Sequence, residues 1–526
     1  MKRYEFLIFI TGAVTLSLEV LASRIMTPYF GVSLYIWSGI LSITLVFLAV
    51  GYRIGGSISA TISRKSAEFV FVATPIVSAL AIFLSAIVYP VVFPLLSQTN
   101  LIVGSFVGAT LLLALPLIGL SAMNPLLIGL RLEQTKTGDA GAGRVFFIST
   151  MGSVAGVLFT AFLFIPNITN FRAILVLGFM INVITILLVI TSQNLIPKQK
   201  RNLLATGLMV AVLCGALFAA KGSFLQFVSS AYANQLTYKI RAEYTSMFGN
   251  IKVVEVARKD GTGSMEKYLI QDGLVQNRTD ENNSSVSMYT HVLESLTHAY
   301  APKAKDVLVL GLGAGIVPQH FQAEGKTVAV VEINAAVLKA ASENFGFDPR
   351  GIRIHLEDAR TFVRKCDRAF DVAVVDLFLG DNVPDYLMTK EFFGELRRCI
   401  RADGALVMNA FFDDKNDEPN RRLLATIASS FPKIYLSGIS GSNAFIVGSA
   451  AAAPKKIVVE AIGLPKNLAA AVEFSVSKSQ RIPRNIYRNS KPVSDDHNIF
   501  SVLFANANMA ERKYLAGLLP PHMLVN

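Results

Sequence analysis

Cysteine, tryptophan and histidine are scarce in this chain of 526 residues, which holds three, one and six of them. Three cysteines (Cys214, Cys366, Cys399) cannot build a disulfide framework and read as reduced packing or surface residues. The six histidines are scattered after position 290 without ligand-like spacing, so no metal site is expected. Charge is sparse too: 16% of residues are charged and 52% hydrophobic, with mean hydropathy +0.48. That balance excludes a disordered chain and is too apolar for a wholly soluble one. Acidic residues are nearly missing from the first part. Residues 1–222 hold 14 Lys and Arg against 5 Asp and Glu, a balance of +9, whereas 223–526 hold 35 against 32, a balance of +3. A nucleic-acid surface would need its basic stripe on the soluble part. Here the excess lies among apolar stretches, so it reads as a topology signal and nucleic acid is not an expected partner.

Crossing a bilayer takes about 20 apolar residues. Such stretches fall near 5–27, 33–52, 69–96, 101–130, 145–165, 172–192 and 203–220. They predict about seven spans and a lipid bilayer as partner. The first lacks a small-residue cleavage site and more spans follow it, unlike a cleavable signal peptide. The stretch 101–130 exceeds one upright helix, and Pro116 and Pro125 permit a kink, a tilt or a broken pair. Glu19 and Arg24, five positions apart in the first span, are expected to pair with each other, or Arg24 to reach the interface. Gly152, Ala155, Gly156 and Ala161 predict close helix packing. Basic loop residues from Lys2 to Arg201 fall on one face if the spans alternate, and that face should be cytoplasmic. Seven crossings then leave everything after Lys221 outside; six or eight leave it inside.

After Lys221 short β-branched runs take over. Residues 251–256 and 267–271 flank a glycine-containing loop and predict a small antiparallel unit. From 306 the runs 306–310, 327–331, 352–356, 370–375 and 404–409 alternate with amphipathic stretches such as 334–344 and 389–400. Alternation of this kind predicts a doubly wound parallel sheet, whose ligands collect at the carboxyl ends of the strands. Those tips are polar. The first enters Gly311-Leu312-Gly313-Ala314-Gly315, and the second ends in Glu332, where a carboxylate can accept both ribose hydroxyls. No Lys-Ser/Thr pair follows the glycines, so a P-loop is excluded. The third strand precedes Glu357-Asp358-Ala359; Asp358 can meet an adenine amine or cap the next helix. The fourth delivers Asp376, with Asp381 and Pro384 beyond it. Carboxylates there can steer a cation, hold an amine or accept a proton.

These residues reach a family. Val307–Gly315, Glu332, Glu357-Asp358-Ala359, Asp376-Leu-Phe-Leu-Gly-Asp381-Asn-Val-Pro384, Leu387-Met-Thr389 and Phe392-Phe393 resemble the spermidine synthase (polyamine aminopropyltransferase) family. Leu269-Ile-Gln-Asp272-Gly273-Leu-Val-Gln276 and Tyr289 are similar to its upstream segment. Glu19, Arg24, Pro28, Gly31 and Trp37, with Asp495-Asp496 near the end, resemble the membrane-embedded spermidine synthase-like proteins of prokaryotes. The resemblance covers roughly 245–450. The fold class expected is a multi-span α-helical membrane domain plus an α/β Rossmann-like domain with a small N-terminal β unit. Its divisions are 1–222 transmembrane, 223–300 linker and β unit, 301–450 nucleoside-binding and 451–526 C-terminal extension.

By resemblance the enzyme binds decarboxylated S-adenosylmethionine, transfers its aminopropyl group to a polyamine and releases methylthioadenosine. The implied binding residues are Gly311, Gly313, Gly315, Glu332, Asp358, Ala359 and Gln276, and the implied catalytic residues are Asp376, Tyr289 and Asp381. No tightly bound cofactor or metal is implied; the adenosyl sulfonium is a substrate. A homodimer, a multi-pass inner- or plasma-membrane location and a cytoplasmic catalytic domain, where the cosubstrate is made, are implied as well. Four positions depart from the family. Its glycine-loop acid, which anchors the propylamine ammonium, is Ala314 here; the Gln after its tyrosine is Thr290; the acidic residue that follows is His291; and the second carboxylate of its catalytic loop is displaced to Asp381. Losing the acid at 314 removes a like-charge repulsion of about 4 kcal/mol at ~4 Å and effective dielectric ~20 against the carboxylate of intact S-adenosylmethionine. Intact S-adenosylmethionine is therefore a second possible substrate, either for a lyase forming homoserine lactone and methylthioadenosine or for a methyltransferase. A nucleotide-sensing membrane protein is the non-enzyme alternative.

Overall fold

The structure, a computed structural model, describes residues 2–31, 34–135, 138–193, 195–230, 235–378, 383–413, 416–440, 443–450, 459 and 464–526. The chain divides into two compact units, Met1–Ala233 with Lys513–Asn526, and Asn234–Arg512.

The first unit is helical: α1 (Lys2–Phe30), α2 (Leu34–Thr61), α3 (Arg64–Ser97), α4 (Leu101–Thr135), α5 (Gly138–Phe159), α6 (Ile165–Asn167), α7 (Asn170–Thr191), α8 (Pro197–Ala219) and α9 (Lys221–Ser230). A π turn at Thr160–Phe164 joins α5 to α6. Among the described residues, seven helices are long and apolar enough to cross a membrane. Their outer faces suit lipid, since Leu45, Val77, Leu115 and Leu208 are each more than 60% exposed. The long fourth stretch is one continuous helix with Pro116 and Pro125 inside it, not a broken pair; tight neighbours on α2 and α3 support it. Small residues let α1 and α5 touch backbone to backbone. A Cβ on Gly152 would lie 1.9 Å from the Phe9 carbonyl oxygen, and one on Gly156 2.2 Å from that of Ala13. Across the same seam Ser17 Oγ donates to the Gly156 carbonyl at 3.0 Å and Ser153 Oγ to that of Gly12 at 3.1 Å. Glu19 and Arg24 both lie within α1. At its start Glu5 pairs with Arg131 and Arg144, which joins the basic ends of α4 and α5 to α1.

The second unit begins with the antiparallel sheet β1 (Leu236–Ser246), β2 (Gly249–Arg258), β3 (Glu266–Gln271) and β4 (Leu274–Asp280), in that order. Then follow α10 (Met288–Tyr300), β5 (Asp306–Leu310), α11 (Ile316–Ala323), β6 (Thr327–Val331), α12 (Ala335–Asn344), β7 (Arg353–His355), α13 (Ala359–Lys365), β8 (Phe370–Val375), α14 (Lys390–Cys399) and β9 (Ile400–Phe411). The chain continues through α15 (Asp417–Ala428), β10 (Lys433–Ser440), β11 (Asn443–Ser449), α16 (Lys466–Ser477) and β12 (Gln480–Arg481). Among the described residues the large sheet has the order β12-β10-β11-β9-β8-β5-β6-β7. β5 to β9 pair in parallel, while β10 to β12 extend the sheet antiparallel. Strands buried on both sides explain the unbroken apolar runs. Leu308, Ala329, Ala373 and Leu406 enter one core; Val307, Val328, Val372 and Ala405 enter the other. The expected extension 451–526 is not one piece. β12 joins the sheet edge, whereas Lys513–Asn526 belongs to the helical unit, where the Asn526 carbonyl accepts from the Phe171 amide at 2.7 Å.

Candidate functional site

The chain leaves β5 in one direction to build β6 and β7, then returns to the other side of β5 with β8. A crevice opens at such a reversal. Its floor is made by the two adjacent tips: the Asp376 amide donates to the Leu310 carbonyl at 2.9 Å, and the Gly311 amide to that of Val331 at 2.9 Å. Gly311 has φ +95°, and a Cβ there would lie 2.2 Å from the Asp376 carbonyl oxygen, so only glycine fits. Gly313, at φ +55°, leaves similar room for Asn277, whose Oδ1 would be 2.5 Å from an added Cβ. Gly315, at φ +79°, is the left-handed residue entering α11.

Glu332 braces this loop. Its carboxylate accepts the Leu312 amide at 3.1 Å and the Asn334 amide at 2.8 Å. Burial raises its pKa, and these amides oppose the rise. Asp358 caps α13 by accepting the Thr361 amide at 2.8 Å, as the simpler sequence reading expects, and also accepts the Tyr386 hydroxyl at 2.6 Å. Ala359 is buried at the start of α13.

Asp376 and Tyr289 come together with two residues that sequence reasoning missed. Asn277 accepts the Ala314 amide at 2.9 Å and donates through Nδ2 to the Tyr289 hydroxyl at 2.7 Å. That hydroxyl donates in turn to the Gln276 carbonyl at 3.1 Å, so Gln276 contributes its backbone to the network. Asn409, 3% exposed and next on β9 to Met408, which pairs with Val375, donates to Asp376 Oδ1 at 3.0 Å. Burial pushes the Asp376 carboxyl up to about 6, against the opposing effect of the Asn409 amide. Burial first, and the Asp376 charge second, hold the Tyr289 phenol well above its usual value. A cavity of about 10 Å³ lies among Asn277, Tyr289, Thr290, Gly311, Leu312 and Asp376, room for one water-sized group. Asn409 was legible by the same strand-tip rule that singled out Asp376. Asn277 had no comparable signal, because β4 lies in the other sheet.

Asp381 lies outside the described residues. His291 is 9% exposed and bonds the Ser285 carbonyl at 3.0 Å, which makes it a buried structural residue. Asp495 accepts from buried Arg360 at 2.6 Å, and Glu395 holds the same guanidinium at 2.8 Å. Arg360 therefore ties α13 to α14, and Asp495 fastens its own segment to the same guanidinium. Cys366 and Cys399, expected to be separate and reduced, instead form a disulfide with Cα atoms 5.0 Å apart, because the ends of α13 and α14 pack side by side.

A parallel sheet with a glycine turn and acidic strand tips at its reversal of order defines a Rossmann-like domain. Residues 286–434 match the Spermine/spermidine synthase domain, and this part of the chain is spermidine synthase-like. The polyamine aminopropyltransferase of Vibrio vulnificus is 28% identical over 153 residues, covering 28% of this chain and 51% of that protein. That of Streptococcus uberis is 28% identical over 181 residues, covering 32% and 62%. The chain thus spans between 51% and 62% of the length of these two relatives. A probable spermidine synthase from Corynebacterium glutamicum is similar with a TM-score of 0.40 and 16% identity, covering 49% of this chain and 97% of that one.

Proposed function

We propose that this chain is a membrane-embedded aminopropyltransferase. Its cleft binds an adenosyl sulfonium, transfers the aminopropyl group to an amine and releases methylthioadenosine. The observation that carries this reading is the half-buried Asp376 carboxylate, aimed by Asn409 and set beside the Tyr289 hydroxyl at the reversal of strand order. Glu332 holds the ribose hydroxyls, Asp358 and the Ala359 amide meet the adenine, and the glycine loop lets the nucleoside approach the backbone. The amine nitrogen attacks the carbon bonded to sulfur; the C–N bond forms, the C–S bond breaks, and its electron pair stays on the thioether. The amine proton passes to the Asp376 carboxylate. A sulfonium is already a good leaving group, so alignment and exclusion of water supply most of the acceleration. Helices α1 to α5, α7 and α8 hold the enzyme in the bilayer, and a reporter fused at Lys221 reads the side on which the catalytic unit emerges.

The test is chromatography for methylthioadenosine after incubation of the full-length protein with decarboxylated S-adenosylmethionine, with and without putrescine. Release that requires the amine supports transfer. Release from intact S-adenosylmethionine without any amine would overturn it. Asp376→Asn abolishes turnover and keeps nucleoside affinity.

A further inference from the structure

The helical unit contains a groove of about 360 Å³ between α3 and α8, within the range of small-molecule sites. One wall is apolar: Phe69, Ala73 and Ile76 repeat at helical spacing on α3. The opposite wall is mixed. Gln199, Asn202 and Thr206 form a polar stripe on α8, extending about 10 Å along the helix. Lys198 stands at the mouth, exposed, one residue into α8. Val77 and Ile196, also lining the groove, are 64% and 54% exposed.

Basic residues predominate at this end of α3 and α8. Arg64, Lys65, Lys198, Lys200 and Arg201 cluster in sequence at the starts of α3 and α8, and residues 192–220 contain no acidic residue. The carboxylate nearest in sequence, Glu68, is 6% exposed and accepts the Tyr4 hydroxyl. Lys200 is occupied by the Ile190 and Ser192 carbonyls at 2.6 and 3.3 Å. Lys198, which lines the groove, remains exposed.

We propose that this groove binds one anionic phospholipid. Its headgroup phosphate meets Lys198, its glycerol esters meet the Gln199–Thr206 stripe, and one acyl chain lies along Phe69, Ala73 and Ile76. A basic mouth above an apolar trough with polar groups at intermediate depth matches the order of groups along such a lipid. A zwitterionic lipid would place an added cation against Lys198, and an apolar helix would leave the α8 amides without partners.

This inference rests on the reading that these helices span a bilayer, and alkaline carbonate extraction tests that reading separately. The inference itself is tested by native mass spectrometry of the full-length protein released from nanodiscs holding equal phosphatidylglycerol and phosphatidylcholine. Wild type should retain phosphatidylglycerol over phosphatidylcholine by about tenfold. Lys198→Glu should abolish that preference, and Ala73→Trp, which fills the trough, should remove both lipids. Both variants should keep the wild-type melting temperature of the Asn234–Arg512 unit. Glycerol 3-phosphate at millimolar concentration should not displace the lipid. Equal retention of the two lipids by wild type, unchanged selectivity in Lys198→Glu, or displacement by the free phosphate would each overturn the proposal.

Discussion

Asn409→Leu isolates the electrostatic core of the site. The wild-type amide donates to Asp376 Oδ1 at 3.0 Å from a position only 3% exposed, so no water can replace it at low cost. Leucine has the same branched skeleton, with bulkier methyl groups, and no donor. A hydrogen bond to a charged group contributes about 1.5–3 kcal/mol, which corresponds to about one to two pH units at ~1.36 kcal/mol each. The bond favours the carboxylate, so its loss raises the Asp376 pKa from about 6 toward neutrality or above. The acid limb of kcat/KM for methylthioadenosine release, expected near pH 6 in wild type, should move up by that amount. Activity at pH 6 then falls by about five- to fiftyfold, because wild type is itself half protonated there, while activity at pH 9 is largely kept. Asn409→Asp should be worse at every pH, since it places a second carboxylate beside the first. A Leu variant whose acid limb stays at wild-type pH would refute both the role of Asn409 and the assignment of the limb to Asp376.

Gly311→Ala forces a Cβ to 2.2 Å from the Asp376 carbonyl oxygen at φ +95°. It should cost about 2–4 kcal/mol of unfolding free energy in urea and remove nucleoside binding measured by calorimetry. Arg360→Met removes a guanidinium shared by Glu395 and Asp495; Arg364 still holds Glu395 at 3.1 Å and Asp495 is 38% exposed, so the cost should be about 1–3 kcal/mol by the same unfolding assay. The Arg360 hydrogen bonds lower both carboxyls in the folded state. Their stabilisation is therefore present above the unfolded carboxyl range and lost as pH falls through the lowered values, and Arg360→Met should flatten that acid-side slope. In the helical unit, Gly152→Leu should separate α1 from α5, seen as a lower melting temperature and faster proteolysis of the helical unit.

Local chemistry explains why much of the fold was legible beforehand. Spans announce themselves because a bilayer demands about 20 apolar residues in a row. The buried parallel strands β5, β6 and β8 do so as β-branched runs, since both faces meet a core. Gly311, Glu332, Asp358 and Asp376 stood out because a strand tip is a fixed place, reachable by counting along the chain. The unbroken course of α4 through two prolines was not legible, because neighbouring helices decide whether a proline ends a helix. The Cys366–Cys399 pairing was hidden for a related reason, as it depends on α13 and α14 meeting at their ends.

From the residue order alone came the division into an apolar helical part and an α/β part, and the acidic residues at the strand tips. Three-dimensional packing alone brought Asn277 from the small sheet to Tyr289 and Ala314, and Asn409 from the neighbouring strand to Asp376. It also carried the last residues back to the helices. Periodicity records which side of an element faces apolar surroundings, whereas which polar group meets which depends on contacts between residues tens of positions apart. No local pattern encodes those contacts.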